Sequence, residues 1–154
     1  GADVIEIGGE STRPPGATYG AGFVPVDAAT QLARIEPVVR HAAERALVSV
    51  DTTLPEVAAR CLDLGARIVS DVSCLSHPEV AAACRSADAW LVLMHTRPGA
   101  ASLYDDVVAD VAREWCKARD RAVAEGMEAH GRRRPRNTSP LKKSVVSREG
   151  LARR

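Results

Sequence analysis

Aromatic side chains are nearly missing from these 154 residues: two Trp, two Tyr and one Phe, 3% in all. A core therefore has to be filled by Ala, Val, Leu and Ile, within an ordinary hydrophobic content of 45%. The same scarcity argues against a base-stacking surface for single-stranded nucleic acid, which needs aromatic faces. No apolar run approaches the ~20 residues that cross a bilayer, so no membrane partner is expected. No charged-then-apolar leader precedes a cleavage site, so no secretory signal is expected. The four cysteines, Cys61, Cys74, Cys84 and Cys116, form no CxxC pair, which removes the usual zinc and redox spacings. Reduced, mostly buried thiols in a cytoplasmic protein are the expectation.

The net charge of +1 conceals an imbalance. Residues 1–128 hold 12 Lys/Arg against 19 Asp/Glu, a net of −7, whereas residues 129–154 hold 9 against 1, a net of +8. Such a split marks a tail with its own character. Gly131 to Pro140 is polar, basic and broken by proline, and predicts disorder. Basic clusters can neutralise phosphates, but nothing aromatic accompanies this one, and no nucleic-acid partner is assigned. The domain expectation is a folded unit over 1–126 and a basic, disordered tail over 127–154.

Ahead of the tail, two patterns alternate. Val4-Ile5-Glu6-Ile7 is a β-rich run ended by Gly8-Gly9. Asp27 to about Ala46 repeats apolar residues at helical spacing through Leu32, Ile35, Val38 and Val39, with Pro37 placed to kink it. Leu47-Val48-Ser49-Val50 runs into Asp51-Thr52-Thr53. Pro55 to Leu64 predicts a helix opened by Pro and closed by Gly65. Arg67 to Ser70 runs into Asp71, and Pro78 to about Ser86 is a short helix. Ala89 to Met94 runs into His95. Tyr104 to about Glu125 predicts a long helix, with Val107, Val108, Val111, Trp115 and Ala118 along one side. Four βα units with apolar strands give an α/β fold on a parallel sheet. A doubly wound sheet and a (β/α) barrel both fit the pattern. Glu10 to Arg13, Asp51-Thr52, Asp71 and His95 each follow a strand's C-terminal end, and in a barrel those ends converge on one mouth.

These same strand ends resemble those of dihydropteroate synthases. Gly1 to Pro14, with Gly-Gly-Glu-Ser-Thr-Arg-Pro at positions 8–14, closely resembles the family's second-strand segment. Ser49-Val50-Asp51-Thr52 resembles its third strand end. Ile68-Val69-Ser70-Asp71-Val72 resembles the fourth, where the family usually has Asn-Asp. Leu93-Met94-His95 resembles the fifth. Order and spacing fit from residue 1 to about 126. Corrinoid-dependent methyltransferases of the pterin-binding superfamily share the barrel and the Asp and Asn positions, but match the Ser-Thr-Arg-Pro loop less well.

The resemblance implies a partial (β/α)8 TIM barrel of about four βα units and a transferase of folate biosynthesis. Its substrates would be a dihydropterin diphosphate and p-aminobenzoate, condensed with release of pyrophosphate. It also implies a cytoplasmic enzyme, with a homodimer possible. Asp51 would accept from the donor-rich pyrimidinone edge of the pterin, a charge-assisted pair that stabilises by roughly 1.5–3 kcal/mol. The alternative for Asp51 is the N-cap of the Pro55 helix, for which Thr53 is better placed. Ser70 stands where the family's Asn contacts the pterin, and a hydroxyl cannot reproduce an amide's paired donor and acceptor. Met94 would pack on the pterin face or belong to the core, and His95 sits at the mouth, for catalysis or for a structural hydrogen bond. Thr12 and Arg13 would touch the aminobenzoate and the diphosphate, which a guanidinium fork suits. Arg97 is a further candidate for phosphate. The loop departs from the family through Pro15 and an extension, Thr18-Tyr19-Gly20-Ala21-Gly22.

The resemblance further implies Mg2+, held with an Asn from a loop that would precede Gly1. A sixth strand ending in Asp-Pro-Gly would follow the long helix, where this sequence has the basic tail. Four of eight units are present. The expectation is a partial gene or a frameshift near residue 126, with little activity alone. A non-catalytic pterin-binding remnant, or a half-barrel that associates with another, is the alternative.

Overall fold

The computed structural model describes residues 2–13, 22, 24–97, 104–129 and 144–147. Strand β1 (Val4–Gly8) leads to helix α1 (Ala28–Ala43), β2 (Leu47–Asp51), α2 (Pro55–Asp63), β3 (Ile68–Asp71), α3 (Glu79–Ser86), β4 (Trp90–Leu93) and α4 (Val107–Ala124). Two short strands, β5 (Glu128–Ala129) and β6 (Ser144–Ser147), fall inside the span set apart as a tail, which reads as disorder with at most a weak turn of helix near its end. The other residues of that span after 129 lie outside the described ones.

All pairings are parallel, and the sheet order is β1-β2-β3-β4-β6-β5. The first four strands lie side by side in chain order. A doubly wound sheet reverses direction at a switch point; no reversal occurs over these four, which is the order of a barrel wall. Helix α1 packs on α2 and α2 on α3, so the crossovers share one face.

That face is the core. Val48, Val50, Val69, Leu91 and Leu93 point to it from the strands and are almost fully buried. Ile35 and Val39 of α1, Val57 and Cys61 of α2, and Val80 and Cys84 of α3 meet them. Each such Val or Leu removed from water contributes about 1.5–3 kcal/mol. Small Ala and Cys side chains at the helix contacts make up for the missing aromatics by bringing the backbones close. Cys61, Cys74 and Cys84 are buried, Cys116 is half-buried, and all four are free thiols. Burial pushes the Cys61 thiol up to about 11 and Cys84 to about 12.

The helix ends follow the sequence signals. The Asp27 side chain caps α1 by accepting from the Thr30 N–H at 2.8 Å. Gly65 adopts φ +106° after α2, where its N–H donates to Leu62 O and that of Ala66 to Cys61 O, closing the helix. Pro37 does not interrupt α1. It lies on the exposed side, where water can satisfy the carbonyl one turn back. Helix α4 keeps its predicted face at Val111, Trp115 and Ala118 and departs from it in the first turn, where Val107 and Val108 are 58% and 80% exposed. The residues turned inward are Asp110, Ala118 and Ala122, with Trp115 half-buried. The first turns of α4 lie beside a polar cluster after β4, which displaces the apolar contact expected there. Among the described residues no helix is long and apolar enough to cross a membrane.

Candidate active site

Alternation along the strands sorts the side chains into two sets. Glu6 pairs in register with Ser49, Gly8 with Asp51, Asp51 with Ser70, and Ser70 with Val92. Register partners in a parallel pair share a face, and residues two apart do too. Glu6, Gly8, Ser49, Asp51, Ser70 and Val92 therefore line the face opposite the helices, the inner wall of a barrel. The Met94 N–H donates to Asp71 O at 2.8 Å and extends the ladder past β4, which puts Met94 on the same inner side. Ser70, Asp51 and Met94 thus share the inner face.

Asp51 ends β2, half-buried. Gly8 faces it, and a Cβ there would sit 3.4 Å from Asp51 Cβ. Among the described residues no hydrogen bond or ion pair engages its carboxylate. Burial, followed by the charges of Glu6, Asp71 and Glu10, pushes its pKa from 3.8 up to about 6. Asp51 is not a helix cap. The α2 N-cap is Leu54, with no side-chain cap bond, and Thr53 does not supply one either. Thr52 Oγ1 accepts from the Leu54 N–H at 3.2 Å.

A buried relay holds the strand ends in place. Glu10 Oε1 accepts from the Val26 N–H at 2.8 Å, and Glu10 Oε2 from Gln31 Nε2 at 3.3 Å. Gln31 Nε2 also donates to Val26 O, and Gln31 Oε1 accepts from Thr52 Oγ1. Gln31, 1% exposed, thereby ties the loop after β1 to the end of β2. Gly9 permits this: a Cβ there would meet Gln31 Cα and Cβ at 2.9 Å. Arg34 Nη1 donates to Gly9 O at 2.8 Å. Thr12 and Arg13 follow directly and are exposed. Pro15 and most of the 18–22 extension lie outside the described residues, although Gly22 is among them.

Sequence reasoning gave no role to Gln31 or Glu6. Glu6 Oε1 accepts from Ser70 Oγ at 2.7 Å and from Ser49 Oγ at 3.3 Å. The only available signal was a lone acid inside an apolar strand. The sequence pattern makes these strands apolar along their length, whereas Glu6, Ser49 and Ser70 form a polar line across three of them.

Asp71 points the other way, into the core, and is fully buried. Its Oδ1 accepts from the Ser73 N–H and from Ser73 Oγ, both at 2.6 Å. Among the described residues its Oδ2 has no hydrogen-bond partner. Burial raises its pKa against those two bonds. Asp71 braces the turn after β3, where Cys74 and Leu75 both take positive φ.

His95 and Arg97 close the rim after β4. His95 Nε2 lies 2.7 Å from Glu114 Oε2, and its side chain is 8% exposed. Arg97 forks onto Glu114 through Nε and Nη2, sits 3.5 Å from Asp110 Oδ2, and stacks 4.3 Å over the Tyr104 ring. Arg97 and then His95 hold the Glu114 carboxyl down at about 2. The Arg97 guanidinium, a candidate for phosphate, is thus engaged by two carboxylates. Trp115 Nε1 donates to Leu93 O at 3.2 Å and fastens α4 to the same strand end.

A family model described as Pterin binding enzyme matches residues 1–130. The dihydropteroate synthase of Mycobacterium leprae (strain TN) is 41% identical over 136 residues, 83% of this chain and 45% of that protein. The Escherichia coli (strain K12) dihydropteroate synthase is 36% identical over 134 residues, covering 82% and 45%. The chain thus spans a little under half the length of these curated relatives. Among solved structures, Xanthomonas albilineans dihydropteroate synthase with 4-aminobenzoic acid superimposes with a TM-score of 0.72 at 35% identity, covering 85% of this chain and 48% of that one. Yersinia pestis dihydropteroate synthase in a sulfonamide drug complex gives 0.70 at 33%, covering 82% and 46%.

Proposed function

The chain belongs to the pterin-binding enzyme family, and on that premise we propose that it carries the pterin-recognising part of a dihydropteroate synthase-type active site. The reaction joins 6-hydroxymethyl-7,8-dihydropterin diphosphate to p-aminobenzoate. The amine nitrogen bonds to the pterin methylene carbon and gives up one proton to solvent, and diphosphate leaves with the electron pair of the broken C–O bond.

The observation that carries this proposal is Asp51. Its carboxylate stands at the barrel mouth, half-buried, with no donor among the described residues engaging it and a pKa raised to about 6. A buried carboxylate without a donor is costly unless a ligand supplies one. The 2-amino-pyrimidinone edge of a pterin offers adjacent N–H donors. Ser70 lies beside Asp51 in register and joins it at that edge, and Met94 covers the ring. Thr12 and Arg13 meet the aminobenzoate and the diphosphate and act in the transfer itself, Arg13 by neutralising charge on the departing oxygens. His95 completes the rim from the β4 side.

The family resemblance extends the proposal to Mg2+, a cytoplasmic setting and a homodimer. Among the described residues no group of three or more His, Cys, Asp or Glu side chains fits a metal ion, so no step here is routed through one. Analytical ultracentrifugation tests the dimer.

Calorimetry with the dihydropterin diphosphate tests the site. Micromolar binding that Asp51→Ala abolishes is the expected result; no heat with the unaltered chain refutes the proposal. A dihydropteroate assay on the same protein then divides the role. Binding without turnover assigns this chain recognition alone.

A further inference from the structure

Resting on that pterin site, we infer that Glu6 is a second ligand-facing carboxylate, which fixes Ser70 as an acceptor and makes the site select a donor-rich edge. Glu6 lies on β1, opposite Ser49 and on the inner face with Asp51. Neighbouring strands are about 4.8 Å apart, yet its side chain reaches past β2 to the Ser70 hydroxyl on β3, 2.7 Å away. Ser49 Oγ is 3.3 Å from Glu6 Oε1 and 3.3 Å from Ser70 Oγ. The carboxylate, on a residue that is itself exposed, therefore spans three strands on the inner face that Asp51 borders.

Proton counting gives the consequence. A hydroxyl has one hydrogen to donate. Ser70 Oγ donates its hydrogen to Glu6 Oε1, the shorter and charge-assisted bond, and has only lone pairs left for a ligand. Ser49 donates to Glu6 or to Ser70, and neither choice gives Ser70 a second hydrogen. Ser49 and Ser70 are 2% and 4% exposed, so water does not easily reorient them. Glu6 Oε2 takes no other partner among the described residues. The wall formed by Glu6, Ser70 and Asp51 thus accepts at every position. It suits a ring edge with an exocyclic amine beside a ring N–H and disfavours one with an oxo group in the amine's place.

The test is a fluorescence titration of the full chain with two probes, 6-hydroxymethylpterin and its 2-oxo counterpart, 6-hydroxymethyllumazine. Glu6→Gln keeps the shape and replaces one acceptor with an amide donor. It is expected to weaken the pterin about tenfold, the scale of one charge-assisted hydrogen bond, and to narrow the preference for pterin over lumazine by a similar factor. Ser70→Ala is expected to weaken the pterin by less and to add little on top of Glu6→Gln, since the two act as one unit. Pterin binding lost in Asp51→Ala but unchanged in Glu6→Gln overturns the role of Glu6 and keeps the site. An equal loss for both probes in Glu6→Gln also overturns it, since that marks a structural effect. Pterin binding that survives Asp51→Ala refutes the underlying site.

Discussion

Two carboxylates on the same rim have opposite fates. Asp51, the last residue of β2, is half-buried and faces the negative charges of Glu6, Asp71 and Glu10, and its pKa rises to about 6. Glu114 reaches the rim from α4 below the end of β4, where Arg97 and His95 converge on it, and its pKa falls to about 2. One carboxylate has no partner among the described residues; the other has the Arg97 guanidinium and the His95 ring. The β1–β3 side keeps its charge unneutralised, at a cost to the fold, while the β4 side uses its charges to fasten a helix. A ligand gains more where the protein has left a group unsatisfied, so the contrast separates recognition from framework.

The contrast breaks most visibly in binding. Asp51→Ala should cost about 100-fold in affinity for the dihydropterin diphosphate, the upper scale of a charge-assisted pair, whereas Glu114→Gln should leave the affinity within about twofold. Calorimetry on the two variants decides it, and equal losses would erase the distinction. Next in size is Gly9→Ala, whose new methyl meets Gln31 at 2.9 Å. It should destabilise the chain by about 1–3 kcal/mol, as overpacking does, seen as a lower urea midpoint.

Asp51→Asn sharpens the comparison through stability. With a folded pKa near 6 against an ordinary 3.8, the charged form is disfavoured by folding. That penalty is absent below pH 3.8, grows as pH rises to 6, and is complete above. Discounted for screening by the solvent that reaches this half-exposed group, Asp51→Asn should therefore stabilise the fold by about 1–2 kcal/mol at pH 7 and by nothing below pH 4, while losing ligand. The smallest effect is expected on the β4 side. Glu114 contributes stability above its ordinary 4.5 that disappears as pH falls toward 2. Glu114→Gln should lower the Tm modestly at pH 7, and the difference from the unaltered chain should close as the buffer approaches pH 2.

How far these features could be read in advance depended on how local they are. The first four strands and four helices of the chain announced themselves because each is bounded by its own Gly, Pro or Asp. Gly65 and Asp27 perform the capping their types suggest. Strand order was not local: the same four βα units permit a doubly wound sheet, and only the side-by-side pairing of β1 to β4 decides it. Asp51 and Ser70 were legible as members of a strand-end motif. Gln31 was not, because its partners Glu10 and Thr52 lie 21 residues away on either side and nothing in a helical stretch distinguishes a buried amide from an exposed one. Glu6 failed for a related reason. Its partner Ser70 is 64 residues on, and only the parallel register brings them together. Val107 and Val108 misled because spacing identifies a face without saying what the face meets.

The thiols offer a gauge of local opening that needs no added label. Cys61 sits in α2 and Cys84 in α3, both sealed against the sheet, while Cys116 in α4 is half open to solvent. Alkylation slows when a thiol is both shielded and held protonated. A brief pulse of reagent on the native chain should therefore modify Cys116 first. Mass spectrometry of the remaining sites would then clock how often each helix lifts from the sheet, one crossover at a time.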